Sequence, residues 1–393
     1  MKPKKPGINT LCTHHGELED KEFHGAISPL YMSTSYAFED VDQKRYPRYY
    51  NTPNQEALCK KIAALEHAED ALIFGSGMAA ISTGIMAFLE AGDHIILQNL
   101  IYGGTYNLIV RQFEKFGISY SFTDSLAPED FERLIRPNTK VVYIETPSNP
   151  MLTITDVRAI AEIAKQHDLV SMIDNTFASP VNQNPIDMGI DVVIHSATKY
   201  MGGHSDICAG AVATTKEYRD RIHDMGIRLG GSLSDYTVWL LERSLKTLGL
   251  RVQRQNENAM MLAEYLEANP HVTKVYYPGL PNHPDHELAK AQMHGYGGMM
   301  SFELDPSIDP VAFRKALKLI KSSMSLAGVE STVLSPAETS HALIPKEERE
   351  QYGITDGLIR FSVGIEESDD LIADIHQALM QVVPEIVEMS NKS

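Results

Sequence analysis

Between Asn54 and His195 short apolar runs alternate with stretches of helical spacing, and that alternation restricts the fold more than any other feature. Ala57, Leu58, Ile62 and Leu65 recur on one helical face. Ala71–Phe74, His94–Gln98, Val141–Ile144, Leu169–Ile173 and Val192–Ile194 have the length and composition of buried strands. Between them, Ser76–Glu90, Thr105–Phe116 and Val157–His167 read as helices, the first two closed by Gly92 and Gly117. Strands that are apolar throughout must be covered on both faces. The pattern therefore predicts an α/β fold, a mostly parallel sheet with helices on both sides.

Further along, Leu240–Leu266 reads as a helix leading into a smaller α+β domain. Its strands are predicted at Met299–Leu304 and Leu358–Val363, with helices near 310–320 and 368–381. Residues 1–53 show little periodicity and are rich in Tyr, Pro, Ser and Thr. An arm without a core of its own has to lie on another surface, and a neighbouring subunit is the expected one. The expected division is an arm over 1–53, an α/β domain over 54–248 and a C-terminal domain over 249–393.

Several classes of function are disfavoured. With 35 Lys and Arg against 52 Asp and Glu, the net charge of −17 argues against nucleic acid and anionic membranes as partners. Ala71–Leu89 carries no charge and is long enough to span a bilayer, but Gly75-Ser76-Gly77 interrupts it, and a strand, a loop and a buried helix are expected instead. Lys2, Lys4 and Lys5 are followed by Pro6, Gly7 and Asn9 where a signal peptide needs an apolar stretch. Cys12, Cys59 and Cys208 form no CxxC, so neither a disulfide scaffold nor a zinc site is expected, and a reducing, cytoplasmic location is.

In open parallel sheets ligands bind beyond the carboxyl ends of the strands. Four loops lie there. Gly75-Ser76-Gly77-Met78 joins a strand to a helix and could cradle a phosphate or simply make a tight turn. Met172-Ile173-Asp174-Asn175-Thr176 leaves Asp174 at a strand end, either desolvated and awaiting a cation or capping a turn. His195-Ser196-Ala197-Thr198-Lys199-Tyr200 places Lys199 just past a buried strand. A lysine there reaches solvent or has its charge relieved, and a relieved lysine is the usual carbonyl nucleophile. His195 reads as a packed histidine, not a metal ligand. Glu145-Thr146-Pro147-Ser148-Asn149-Pro150 offers Asn149 as a neutral donor and acceptor, or only an Asn-Pro turn. Together, a phosphate cradle, a strand-end aspartate and a strand-end lysine are what pyridoxal 5'-phosphate requires: the lysine holds the aldehyde, and the aspartate keeps the ring nitrogen protonated.

The run His195-Ser-Ala-Thr-Lys199-Tyr-Met-Gly-Gly203-His204-Ser205 resembles the lysine signature of the Cys/Met metabolism family of pyridoxal-phosphate enzymes. Gly75-Ser-Gly-Met78, Tyr102-Gly103-Gly104-Thr105, Glu145–Pro150, Asp174-Asn-Thr176 and Arg360-Phe-Ser-Val-Gly364 are similar to that family's motifs, in the same order. The resemblance implies the fold type I transferase architecture. It gives Lys199 the roles of cofactor lysine and proton shuttle, and Asp174 that of ring-nitrogen partner. Tyr102 would stack on the ring and act as acid or base near the leaving group. Gly77, Met78, Ser196 and Thr198 would bind phosphate. Tyr46-Pro47-Arg48 resembles the Tyr-x-Arg that family members insert into a neighbour's phosphate site, implying a homo-oligomer, a dimer at least and a tetramer by family habit. Arg360 would fork the substrate's α-carboxylate, with Asn149, Ser325 and Met324 lining the same region.

The chain departs from its relatives at four places. It reads Asn51-Thr52-Pro53 for Asn-Pro-Thr, and Leu233-Ser234-Asp235 for Leu-Ser-Pro. Gly104 stands where methionine γ-lyases have cysteine, and Met324 where the γ-specific cystathionine enzymes have glutamate. An apolar Met324 cannot pair with the distal ammonium of cystathionine. The expected activity is carbon–sulfur elimination from cystathionine, methionine or cysteine-type substrates, giving a 2-oxo acid and ammonia. The alternative within the family is γ-replacement on an activated homoserine; an aminotransferase and a non-enzymatic cofactor-binding regulator are more distant.

Overall fold

The structure is a computed structural model that describes residues 6–339, 346–351 and 353–383. Seven strands form the larger sheet: β1 (Asp70–Phe74), β2 (His94–Leu97), β3 (Ser119–Phe122), β4 (Thr139–Glu145), β5 (Val170–Asp174), β6 (Val192–His195) and β7 (Gly210–Thr214), in the order β1-β7-β6-β5-β4-β2-β3. The run from β3 to β6 is parallel, and β7 is antiparallel to both β6 and β1. Helices Gly77–Met86, Gly103–Gln112 and Lys216–Leu229 cover one face. Helices Pro53–Leu65, Val157–Gln166 and Asp235–Leu245 cover the other. The α/β expectation holds, and its physical basis is visible: β4, β5 and β6 are buried on both sides along nearly their whole length.

β7 was not legible in the sequence because Gly210-Ala-Val-Ala-Thr214 is too small and short to read as a strand. Its smallness has a cause. A Cβ on Gly210 would overlap the main-chain carbonyl of Ser76, so glycine lets β7 pass directly beside the Gly75–Gly77 loop.

Leu240–Leu266 is two helices, Asp235–Leu245 and Leu248–Glu267, and not one. The buried Arg251 guanidinium explains the break. It donates to Ser244 O at 3.1 Å and to Thr247 Oγ1 at 3.1 Å, satisfying groups that helix continuation would need. The same side chain donates to Tyr200 O at 2.8 Å and so ties the Lys199 loop to the helix pair. The helix expected over 310–320 stops at Ala316, because the Asp374 carboxylate accepts the amides of Lys318, Leu319 and Ile320 at 2.8–2.9 Å. Amides given to that carboxylate are withdrawn from the carbonyls of Arg314, Lys315 and Ala316, which a continued helix would need.

The second sheet holds β8 (Val272–Tyr276), β9 (Met299–Leu304), β10 (Lys321–Ser322), β11 (Thr332–Leu334) and β12 (Leu358–Ser362), ordered β10-β11-β12-β9-β8. It packs on helices Leu248–Glu267, Pro310–Ala316 and Ser368–Val382 around its own core. The strands at β9 and β12 were legible as apolar runs; β8, β10 and β11 are too short or too mixed.

The N-terminal arm is more attached to its own chain than its composition suggests. Helix Ile8–His14 buries Cys12 in the core of the larger domain, and the fully buried Lys61 donates to Cys12 O at 2.8 Å. Ser28 donates to Glu242 at 2.6 Å and accepts at its carbonyl from Trp239 Nε1 at 2.9 Å. Phe23 and Ile27, between these anchors, and Met32 and Phe38, beyond them, remain exposed.

Two of the departures from the family meet. Thr52 caps helix Pro53–Leu65 in a reciprocal capping box with Gln55, and its hydroxyl donates to the buried Asp235. Burial pushes the Asp235 carboxyl up, and the Thr52 hydroxyl opposes that rise. Thr52→Ala is expected to cost about 1–3 kcal/mol of stability at neutral pH. The loss should shrink as pH falls, because a carboxyl raised in the folded state binds its proton more tightly there, and protonated Asp235 needs the hydroxyl less. Urea unfolding of both proteins at neutral and acidic pH measures this; equal losses at both would show that Asp235 plays no part.

Candidate active site

A cleft of about 320 Å³ opens at the carboxyl ends of β4, β5 and β6, and β12 and the Met324–Leu326 loop close its far side. It brings together Gly77, Met78, Tyr102, Asn149, Asp174, Ser196, Thr198, Lys199, Met324, Ser325 and Arg360. Of the residues the sequence points to, only Tyr46 and Arg48 lie elsewhere. Arg48 donates to Ile227 O at 2.6 Å and stacks 5.1 Å from the centroid of the Tyr49 ring; Tyr46 is 41% exposed. Neither lines the cleft of its own chain.

One end of the cleft suits a phosphate. Gly77 and Met78 belong to the first turn of helix Gly77–Met86, where amides have no intrahelical acceptor. Ser76 caps this helix by accepting from Ala79 N at 3.1 Å. A Cβ on Gly77 would stand 2.7 Å from Ser196 Cβ, so only glycine leaves the cradle open against that serine. Ser196 Oγ makes no hydrogen bond among the described residues, whereas Thr198 Oγ1 is engaged with both main-chain groups of Ala209, donating at 3.2 Å and accepting at 3.1 Å. Ser196 is therefore the hydroxyl free to meet an anion, and Thr198 chiefly shapes the loop.

Asp174 is buried at the end of β5 with no lysine or arginine bonded to it among the described residues. Its Oδ1 accepts from Thr176 N at 3.0 Å. Burial pushes its carboxyl upward, against the Thr176 hydroxyl and amide and against His195. Such a carboxylate lacks a direct cationic partner, which a protonated ring nitrogen would supply.

Lys199 Nζ donates to Ser325 Oγ at 2.9 Å. Burial first, and then the Arg360 guanidinium, lower its pKa, which favours the neutral amine that attacks an aldehyde. Arg360 itself is buried, and burial brings it down to about 10. It donates to Asn149 Oδ1 at 3.1 Å and to Ser325 O at 3.2 Å, neutral acceptors that orient the fork and leave its charge uncancelled. Pyridoxal phosphate thus fits these residues at three points: an open glycine cradle with a free hydroxyl, an unpaired carboxylate and a lysine whose pKa is lowered.

Tyr102 stands at the head of helix Gly103–Gln112, 46% exposed, with its amide donating to Glu145 Oε2 at 2.7 Å. A Cβ on Gly104 would overlap the Tyr102 ring and come within 2.9 Å of Met78 sulfur. Cysteine at that position would displace the ring, so Gly104 and the present Tyr102 placement go together. Met324 is 71% exposed at the rim.

Glu145 and Cys208 line the cleft without having been singled out. The signal for Glu145 was available: it ends an apolar strand as Asp174 does. Cys208 had no comparable signal.

The sequence pattern of the family described as Cys/Met metabolism PLP-dependent enzyme matches residues 9–380. The chain is 45% identical to the cystathionine gamma-lyase of Bacillus subtilis over 372 residues, 94% of this chain and 98% of that one. It is 44% identical to a cystathionine beta-lyase of Lactococcus lactis over 375 residues, 95% and 98% of the two chains. The crystal structure of cystathionine gamma-lyase from Lactobacillus plantarum complexed with L-serine superposes with a TM-score of 0.92 at 42% identity, covering 96% of this chain and 99% of that one.

Asp174→Asn is expected to retain cofactor but to lose at least about a hundredfold in turnover, since an amide cannot hold a ring nitrogen protonated. Steady-state rates and the visible spectrum of the purified variant measure both. A rate within a few-fold of the parent would reduce Asp174 to a turn cap.

Proposed function

The chain belongs to the Cys/Met metabolism family of pyridoxal-phosphate-dependent enzymes, and from that premise we propose that it is a carbon–sulfur lyase of sulfur amino acids, acting on cystathionine, methionine or cysteine-type substrates. The products are a 2-oxo acid, ammonia and a thiol or sulfide. When bound, the cofactor supplies an aldehyde for the substrate's amine and a ring that takes up the electron pair freed at Cα. The protein's residues do the rest. Arg360, aimed by Asn149 and the Ser325 carbonyl, holds the α-carboxylate in a bidentate grip. Lys199 Nζ would hold the cofactor's aldehyde and is placed to take the Cα proton; Ser325 Oγ orients that nitrogen. Asp174 holds the proton on the ring nitrogen. The Tyr102 phenol, in the same cleft, protonates the departing sulfur.

The observation that carries the choice of substrate is Met324. It sits beside Ser325 at the rim, exposed and apolar, so it tolerates varied thioether or thiol tails without rewarding a second amino-acid head. Its exposure also limits what a charge there could do. Met324→Glu should raise kcat/KM for cystathionine relative to methionine only about two- to fivefold, because a solvent-screened pair contributes roughly 0.5–1 kcal/mol. Product assays on cystathionine, methionine, cysteine, and O-acetylhomoserine with sulfide test the whole reading. Pyruvate reports β-elimination and 2-oxobutyrate reports γ-elimination. A parent enzyme that performs only replacement on O-acetylhomoserine would overturn it.

The same reading makes the protein a cytoplasmic homotetramer built from dimers, with an arm over 1–53, a cofactor domain over 54–248 and a C-terminal domain over 249–393. Three free cysteines and the exposed apolar side chains of the arm support it, and no described helix is long and apolar enough to cross a membrane. Tyr46 and Arg48, outside their own cleft, serve the partner's phosphate site. Arg48→Ala and Lys199→Ala chains, each inactive, should regain activity on subunit exchange, since each mixed dimer then holds one intact site. No recovery after exchange is verified by mass would place Arg48 outside the active site.

A further inference from the structure

Glu145 is a carboxyl group in the cleft to which the chemistry above gives no task. It ends β4 and pairs in register with Asp174, which ends β5. Paired residues on adjacent parallel strands project to the same face, and the strands lie about 4.8 Å apart. Both side chains line the cleft and both residues are buried. Two carboxylates so placed out of water cannot both be charged.

Their surroundings differ. On the far side of Asp174, β6 pairs Ile194 with it and ends at His195. His195 Nε2 contacts Glu66 Oε1, and both residues are almost wholly buried. Glu66 Oε1 also accepts from Asn175 at 3.1 Å, while Glu66 Oε2 has no partner among the described residues. On that side His195 opposes the rise that burial imposes on Asp174 and so favours its ionised form. Glu145 has no such neighbour. Its side chain's hydrogen bond is the Tyr102 amide, and burial together with Asp174 pushes its carboxyl well above the usual range. Tyr143, two residues back along β4, brings only a buried phenol. Lys199 and Arg360, the basic side chains of the cleft, are bonded to Ser325 and Asn149.

We propose that Glu145 is protonated at neutral pH and that the Glu66–His195 pair makes Asp174 the charged member of the two. Glu145 is then a positioning residue. It fixes the Tyr102 amide at the head of its helix, and by staying neutral it leaves a single negative charge in the cleft for the cofactor's ring nitrogen. The proposal rests on the cofactor assignment, so its test begins on the apoprotein, where no lyase chemistry enters.

The infrared spectrum of the apoprotein at neutral pH should contain a protonated-carboxyl band that moves when glutamate carboxyls carry ¹³C, stays when aspartate carboxyls do, and disappears in Glu145→Gln. Titration with pyridoxal phosphate should give Glu145→Gln a Kd within about threefold of the parent, and Glu66→Gln or His195→Gln a Kd raised about tenfold, one unit of proton affinity. Circular dichroism checks that each variant is folded, and the isotope measurement needs no variant. A Glu145→Gln spectrum that keeps every protonated-carboxyl band would overturn the proposal, as would a folded Glu145→Gln protein that loses cofactor affinity tenfold. A parent protein that fails to bind pyridoxal phosphate would instead remove the cofactor reading.

Discussion

Lys199 and Arg360 place two cations in one cleft, and neither is bonded to a carboxylate among the described residues. Desolvated charges of like sign are among the least favourable things a fold can assemble. They persist because each has a different release. Burial and Arg360 lower the pKa of Lys199, which favours its neutral form. Arg360, which stays cationic, is aimed by neutral oxygens, and the proposed function gives it a substrate carboxylate as its anion. A cleft of this kind favours anionic ligands and stores a ready amine beside them. The cost is carried by the surrounding packing, not by local ion pairs.

Register across β4, β5 and β6 does the remaining placement. Glu145, Asp174 and Ile194 stand at one level on three adjacent parallel strands, so the next residues along β6 and its loop, His195, Ser196 and Lys199, fall at the same rim. The second sheet then supplies Arg360 from its central strand, and Asn149 joins the two halves through its bond to that guanidinium. The junction is held from below by Arg251, whose bonds run to the Lys199 loop and to both helices that lead out of the larger domain. The cleft therefore draws its floor from one sheet and its guanidinium from the other.

Residues that end strongly apolar strands could be read directly, because a charge beyond such a run has few innocent explanations. Asp174 and Lys199 were legible on that ground, and Glu145 would have been by the same rule. What could not be read were features created by long-range contact. The split at Lys246–Thr247 depends on Arg251 reaching back to Ser244. The early helix end at Ala316 depends on Asp374, far along the chain. Thr52 and Asp235 look like two separate departures from the family and are one hydrogen bond. The arm's lack of periodicity points to a neighbouring subunit as the surface it lies on, yet Cys12 is buried in its own chain's core, because a single short helix with one core residue leaves almost no periodic signal.

The loop that carries Ser325 shows how such a site can keep its chemistry while its substrate changes. Ser325 and Ala327 both adopt left-handed backbone, with φ of 79° and 63°, a conformation that costs side-chain-bearing residues of order 1 kcal/mol each. Three contacts hold them there: Lys199 onto the Ser325 hydroxyl, Arg360 onto the Ser325 carbonyl, and the Ala327 amide onto Ser362 Oγ at 2.7 Å. The main chain is therefore fixed by the same residues to which the proposed reaction gives the binding and deprotonation of the substrate. Met324, one position earlier, makes none of these contacts with its side chain and projects into solvent at the rim. Substitutions at Met324 can alter what the cleft accepts without disturbing the bonds that hold Lys199 and Arg360. Substitutions at Ser325 cannot, and that difference separates the residues that set the reaction from the one best placed to set its substrate.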